Sequence, residues 1–323
     1  MYGFNVRQFG GPEVMVWEQL PDLKPTANQV LVDVYASGVN FAETRMRSGT
    51  YSGQPLPFVM GMEGAGVVRE VGPGVTEFSQ GDRVFGRARG THAEQVLFDA
   101  AHLMALPDNL SFEEGAGIPV GWLTAWHALH TVAEISQGQR VLVEAVGGSV
   151  GSAALQIAKQ QGCWVAGTAS RDGKLKPAKA QGADLLINYN TQSISDEVRQ
   201  GTDGKGADVS LMTIGGATSQ ELLDSMGMDG KVVMFGSTGG RDITFNLNIG
   251  MLNIQMLSMS ISTSPLFETQ TMASFREHAL PLFADGTFTS VVDKVLPMSR
   301  VVDSHQMIDD RNHYGKVILA VDR

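Results

Sequence analysis

RVLVEAVGGSVGSAALQIAK, residues 140–159, is the stretch whose reading decides the fold. Val141, Leu142 and Val143 form an apolar run of the kind buried in a parallel sheet. The run ends in a turn of small residues, from Ala145 to Gly151. Beyond it Val150, Ala153, Ala154, Ile157 and Ala158 recur at helical spacing. Strand, tight turn and helix follow without a spacer, which is the opening of a dinucleotide-binding βαβ unit. Its helix N-terminus presents unpaired N–H groups and a positive dipole end to a pyrophosphate. Gly148 lets the backbone approach the phosphates, and Gly151 lets the helix lie close on the strand. Val146 occupies the place of the first glycine of G-x-G-x-x-G, so the loop reads A-x-x-G-x-x-G through Ala145, Gly148 and Gly151. A glycine pattern alone is weak; the strand before it and the helix after it give it weight.

Outward from this unit, strands and helices alternate to about residue 259. Short apolar runs at 165–168, 185–187, 207–212 and 231–235 are separated by helix-length stretches at 174–181, 193–200 and 218–226. This α/β alternation predicts a doubly wound parallel sheet, a Rossmann domain, with right-handed crossovers. The methionine-rich run at 251–259 is expected to fill a core or interface gap. Residues 1–119 read differently. Apolar runs at 30–35, 66–71, 83–85 and 93–98 are punctuated by Gly10-Gly11-Pro12, Gly72-Pro73-Gly74 and Gly81-Asp82, predicting a compact, barrel-like β-rich domain. Ser111 and Glu114 form a capping box that opens a helix, and a second helical stretch at 122–132 leads into the nucleotide domain. After Pro265 a helix at 272–283 and strands at 291–295 and 317–321 return to the first domain. The expected division is thus 1–119 with 265–323, and 120–264.

The 323 residues leave room for two domains, and 43% hydrophobic with 18% charged residues is an ordinary globular composition. A net charge of −10 without a basic cluster argues against nucleic-acid and anionic-membrane partners. A single cysteine, Cys163, excludes an internal disulfide and a cysteine zinc cluster and suits a reducing compartment. No window approaches the roughly 18 apolar residues of a membrane span. The first residues lack the pattern of a signal peptide, so a cytoplasmic protein is expected.

Selectivity for NAD places an acid about 20 residues after the glycine turn. Here the second strand runs out as Gly167-Thr168-Ala169-Ser170-Arg171, without that acid. Ser170, Arg171 and Lys174 offer hydroxyl and cationic donors that suit a 2′-phosphate, so NADPH is the predicted cofactor. Seven histidines are scattered without H-E-x-x-H, and His127 and His130, three apart, have no evident third ligand. They read as ordinary core or surface histidines, and no metal is expected. No G-x-S-x-G elbow is present, and Cys163 reads as a buried, inert thiol. A nicotinamide enzyme that moves hydride without a metal remains.

Several ordered motifs carry a resemblance: Gly38-Val-Asn-Phe41, GMEGAGVV within 57–68, Gly81-Asp-Arg-Val84, Gly121-Trp-Leu-Thr-Ala125, the glycine loop, Ile187-Asn-Tyr189, Phe235-Gly236, and Arg311 with Gly315-Lys316. Over essentially its whole length the chain resembles the zinc-independent quinone oxidoreductases, the zeta-crystallin-like branch of the medium-chain dehydrogenase/reductase superfamily. The resemblance implies a GroES-like catalytic domain beside the Rossmann domain, with the substrate in the cleft between them. Zinc-dependent relatives carry cysteine and histidine in the stretches where this chain has Asn40 and Met62, which implies that the zinc is absent. It also implies that Asn40 and Thr124 face the nicotinamide. Gly148, Ser149, Val150, Gly151, Gly236 and Ser237 would line the cofactor, and Lys174, Tyr189 and Arg311 would hold the 2′-phosphate end. Tyr51 matches a tyrosine that lines the substrate cleft and donates a proton in related enoyl reductases; a phenol suits that task.

Two residues depart from the pattern: Ser149 stands where relatives repeat glycine, and Ser264 replaces an arginine. The resemblance implies NADPH-dependent hydride transfer to a quinone or an enone. Alternatives are reduction of an enoyl thioester, and a non-enzymatic nucleotide-binding protein of the same fold. A homodimer joined through the edge strand near 252–259 is also implied.

Overall fold

The computed structural model describes residues 1–51, 53–240, 242–246 and 251–321. Sixteen strands are described. In chain order β1 is Tyr2–Val6, β2 Met15–Gln19, β3 Gln29–Val39, β4 Phe58–Val59, β5 Glu63–Val71, β6 Arg83–Arg87, β7 Gln95–Asp99 and β8 Leu103–Ala105. They continue with β9 Arg140–Val143, β10 Trp164–Ala169, β11 Leu185–Asn188, β12 Ala207–Met212, β13 Met226–Met234, β14 Gln255–Ser258, β15 Val292–Pro297 and β16 Lys316–Ala320. The chain forms two compact units, Met1–Val120 with Arg276–Arg323, and Gly121–Phe275.

In the first unit β2, β1 and β4 make a small antiparallel sheet. A larger sheet runs β15-β16-β3-β5-β6-β8, with β7 also on β3. Strand β16 pairs antiparallel with β3, Val317 opposite Val39, which ties the end of the chain to its beginning. Val30, Val32, Val34, Val68, Val84 and Phe98 bury one core; Phe4, Val39, Met60, Val301 and Val317 bury another. Helix α1, Phe41–Ser48, starts at Asn40 and buries Glu43, Thr44, Met46 and Arg47, three of them polar or charged. Helix α2, Phe112–Ala116, opens on the expected capping box: Ser111 Oγ accepts from Glu114 N at 3.1 Å, and Glu114 Oε2 accepts from Ser111 N at 2.8 Å.

The second unit is a six-stranded sheet of order β11-β10-β9-β12-β13-β14, parallel throughout. Val141, Leu142 and Val143 are buried, β9 having a neighbouring strand on each side and the helix Ser149–Gln160 packed against it. Helix α3 is Pro119–Trp126, after which a wider π-type turn covers His127–Val132. Helices α4 (Ser149–Gln160), α5 (Asp172–Ala180), α6 (Ile194–Gly201) and α7 (Ser219–Asp224) follow their strands. α4 turns Gly151, Ala153, Ala154, Leu155, Ile157 and Ala158 inward.

One expectation needs correction. The predicted helix at 272–283 is a broken one, with π-type turns at Phe267–Thr271 and Phe275–Ala279 between short α-helical pieces. The two compact units divide inside it, between Phe275 and Arg276. Before that point Thr271 Oγ1 lies 2.6 Å from His127 Nδ1, and Trp126 Nε1 donates to Ser274 at 3.2 Å, holding the segment on the second unit. After it Arg276 bonds the carbonyls of Ala101 and Leu103 in the first. Of the methionines at 251–259, Met251 is 80% exposed, while Met256 and Met259 on and beside the edge strand β14 are half-buried.

Candidate functional site

Because all six strands of the second unit run parallel, their carboxyl ends share one edge of the sheet. The order reverses between β9 and β12, the switch point at which doubly wound sheets bind ligands. The glycine turn leaves β9 there. Gly148 is the extended N-cap of α4. A Cβ at Gly148 would meet only Ala145 O, at 3.3 Å, so backbone approach is open. At Gly151 a Cβ would come within 2.3 Å of Ala145 O and 2.7 Å of Val146 Cα, so only glycine permits the helix this close. Val146 takes the place of the motif's first glycine at a matching position: its side chain fills the space over Gly167 of β10, where a Cβ would lie 2.8 Å from Val146 Cγ2. Ser149 fits in the same manner, its hydroxyl lying where a side chain on Gly121 would be. Ala145 holds φ +50, a left-handed conformation costing about 1–2 kcal/mol in a non-glycine residue.

Ser170, Arg171 and Lys174 follow β10, and Tyr189 follows β11, on the same edge. Asn190 Nδ2 donates to Ser170 O at 2.9 Å and Tyr189 N to Ala169 O at 3.1 Å, so the two loops are tied together. Asp172 is an acid near the second strand's end whose place the sequence reading passed over. Its carboxylate accepts from Asn188 Nδ2 at 2.7 Å. Gly236 and Ser237 follow β13; a Cβ on Gly236 would stand 2.5 Å from Thr213 O. Thr124 lies buried on α3.

Glu144 was not anticipated. Fully buried at the end of β9, it accepts from Thr213 N and Ile214 N at 2.8 Å each, and from Thr218 Oγ1 at 2.9 Å. Burial pushes its carboxyl up, against the pull of those three donors. It fixes the loop after β12, on which the loop after β13 rests through Gly239 N to Ile214 O at 2.7 Å. A sequence signal existed, an acid directly after the apolar strand, but nothing there names its partners.

In the first unit Asn40 is the hub of a buried polar network. Its Nδ2 donates to Glu63 Oε1 at 2.8 Å and Glu43 Oε1 at 3.1 Å, and its Oδ1 accepts from Lys316 Nζ at 2.7 Å. Lys316 also pairs with Glu63, whose second oxygen accepts from Val120 N at 2.6 Å. On the far side of Glu43 stand His92 and His305, both buried. Burial raises the Glu43 carboxyl, but the adjoining His92 outweighs it, leaving the group below the usual carboxylate range. Burial pushes His305 down to about 3, so that it is neutral at pH 7. Tyr51 follows the left-handed C-cap Gly49 and is 38% exposed, its N–H bonded to Arg45 O. Arg311 lies exposed on the turn after the helix Val301–Asp309, in the first unit and not beside Lys174 and Tyr189 in sequence or sheet.

A doubly wound domain with its glycine turn at the switch point, joined to a β-rich unit closed by the C-terminal strand, defines a medium-chain dehydrogenase/reductase. Family models agree: "Alcohol dehydrogenase GroES-like domain" matches residues 26–108 and "Zinc-binding dehydrogenase" residues 149–284. Human quinone oxidoreductase is 32% identical, the match covering 99% of this chain and 98% of that one. A 2-haloacrylate reductase of a Burkholderia species is 31% identical over 97% of both. The structure of Escherichia coli quinone oxidoreductase complexed with NADPH superposes with a TM-score of 0.89 at 28% identity, covering 99% of this chain and 100% of that one. The chain belongs to the quinone oxidoreductase family of that superfamily.

Proposed function

We propose that this protein is an NADPH-dependent oxidoreductase that delivers hydride to a quinone or to an electron-poor alkene. The observation that carries the reading is the group of loops at the carboxyl ends of β9, β10, β11 and β13. A glycine turn and helix N-terminus suited to a pyrophosphate share that edge with Ser170, Arg171, Lys174 and Tyr189. The nearby acid, Asp172, is engaged by Asn188, which favours a 2′-phosphate over a free ribose hydroxyl. Gly148, Ser149, Val150 and Gly151 would hold the pyrophosphate, with Gly236 and Ser237 lining the cofactor and Arg311 adding a cation for the phosphate end. Relatives that reduce quinones and 2-haloacrylate, at full-length coverage, support the acceptor class.

Bound NADPH supplies the hydride from its nicotinamide C4; this chain's residues bind, orient and handle the proton. Asn40 and Thr124 are assigned to the nicotinamide end. Asn40 acts there as a fixed wall, since both its N–H bonds and one Oδ1 lone pair are committed to Glu63, Glu43 and Lys316. Tyr51 is assigned the proton or hydrogen bond to the acceptor oxygen that gains charge as hydride arrives. The matched family description names zinc, yet the residues here do not fit it at the positions of Asn40 and Met62: the amide is consumed by hydrogen bonds, and a thioether is a soft, weak ligand. Hydride transfer in this reading uses no zinc there.

The exposed edge strand β14 is assigned to a homodimer, because an unpaired apolar edge invites pairing. No described helix is long and apolar enough to cross a membrane, and the lone, buried cysteine favours a cytoplasmic location. NADPH consumption measured against quinones, enones, 2-haloacrylates and enoyl thioesters tests the proposal. Turnover with quinones or activated alkenes is expected; turnover confined to thioesters, or none, would overturn it.

A further inference from the structure

The carboxylate Glu43 and the imidazoles of His92 and His305 come from three distant parts of the chain, helix α1, the turn before β7 and the C-terminal helix. All three are fully buried, with ligand atoms within 4.8 Å of one another. Four of their polar atoms, Glu43 Oε2, His92 Nε2 and both ring nitrogens of His305, have no hydrogen-bond partner. Buried polar groups are ordinarily paired, and a cluster of unpaired ones demands a cause.

The proton positions narrow that cause. Ser37 Oγ lies 2.8 Å from Glu63 O, from Thr91 Oγ1 and from His92 Nδ1. A carbonyl only accepts, so the single hydroxyl proton of Ser37 goes to Glu63 O. Ser37 must then accept from His92, which puts the proton of a neutral ring on Nδ1 and a lone pair on Nε2. That lone pair stands 3.0 Å from Glu43 Oε2, off hydrogen-bond alignment. Two lone pairs at this distance repel unless a cation lies between or beside them. Charge balance points the same way. Among the neighbouring buried charges Lys316 is paired with Glu63 and Arg47 with Asp309, which leaves only His92 and His305 beside Glu43. A proton on His92 would neutralise Glu43 but leave both nitrogens of His305 unpaired. A cation bound by all three residues answers for three of the four atoms, one nitrogen of His305 among them, where the proton answers for two.

We propose that Glu43, His92 and His305 form a structural binding site for one divalent first-row transition-metal ion, with Zn²⁺ as the representative. The donor set, two imidazoles and a carboxylate, suits such ions and not Ca²⁺ or Mg²⁺. The surrounding residues are those that orient ligands. Ser37 fixes the tautomer of His92, and Asn40 Nδ2 holds the other oxygen of Glu43. Gly61, at φ +103, leaves room for His92, since a Cβ there would lie 2.8 Å from His92 Nδ1. Bonds of about 2.1 Å would draw the three ligand atoms closer than they now stand. His305, whose ring nitrogens make no hydrogen bond, is the group able to move. The ion would enter as the unit folds and would link α1 to the C-terminal helix. This site adjoins Asn40 through Glu43, takes no ligand from the positions of Asn40 and Met62, and has no part in hydride transfer.

The test uses the full-length chain produced in medium supplemented with Zn²⁺ or Co²⁺, then freed of loose metal on a chelating resin. Mass-spectrometric metal analysis should find about one ion per chain, and the Co²⁺ form should show the visible bands of a nitrogen- and oxygen-ligated ion. His305→Gln, close in size, should lower retention about tenfold or more and abolish those bands. Because that variant could fold poorly, the unaltered chain is also unfolded with chelator and refolded with or without Zn²⁺. Zn²⁺ should raise Tm by about 5 °C or more. Metal-free protein with a Tm indifferent to Zn²⁺ on refolding would overturn the proposal, as would full metal retention by folded His305→Gln. Turnover of quinones is not a readout, so the proposal and the assigned activity fail independently.

Discussion

Asn40 shows how a single residue's meaning depends on its partners. A buried amide that joins Glu63, Glu43 and Lys316 satisfies three charged groups at once, none of which reaches water. Asn40→Ala is expected to cost about 2–4 kcal/mol in urea unfolding, because truncation strands buried charges instead of removing one ordinary hydrogen bond. A loss below about 1 kcal/mol would mean that the network repacks. The proposed function assigns Tyr51 to the chemistry and not to the scaffold, in keeping with its exposure on a turn with only its backbone committed. Tyr51→Phe should therefore leave Tm unchanged while lowering kcat/KM by about 10²-fold, mainly through kcat, for acceptors that need a proton. An unchanged kcat/KM would reduce Tyr51 to shaping the pocket.

At the scale of elements, the βαβ unit tolerates the departure at Val146 because β10 has compensated for it. Gly167 supplies the space that the motif's first glycine would otherwise leave. Gly167→Ala should destabilise by about 1–3 kcal/mol through overpacking, and Val146→Ala in the same chain should recover part of the loss, a coupling readable in a double-mutant cycle. Additive effects would show that the two residues are not packed as described. The elements themselves were legible wherever one period dominated the sequence. The strands and helices around 140–234 announced themselves by alternation, and the capping box at Ser111 by residue type. The hairpin β1–β2 was not, because YGFNV and MVWEQ are short and mix polar residues into both faces. The helix at 272–283 read as continuous because its apolar spacing is helical, whereas the structure widens it into a π-type turn at Phe275–Ala279.

For the molecule as a whole, ligand binding and stability should be linked. NADPH at about 100 times its Kd should raise Tm by an amount corresponding to about 2.7 kcal/mol, and NADH at the same concentration by less. Arg171→Ala should narrow the gap between the two cofactors. Equal shifts in the unaltered chain would remove the assignment of Ser170, Arg171 and Lys174 to a 2′-phosphate.

By itself the sequence determined the architecture, since strand–turn–helix order and hydrophobic period are local properties that dictate a doubly wound sheet and a β-rich partner. It also located the glycine turn and its cationic neighbours, because a pyrophosphate site is built from consecutive backbone N–H groups and the residues just after strand ends. Tertiary structure alone decided which distant side chains meet: Glu144 with Thr213 and Ile214, Asn40 with Lys316, and Glu43 with His92 and His305. Seven scattered histidines carried no metal-like spacing. Two of them converge on one carboxylate only because β16 pairs with β3 and brings the C-terminal helix back to α1. Such encounters depend on chain return over hundreds of residues, which leaves no period or spacing to read.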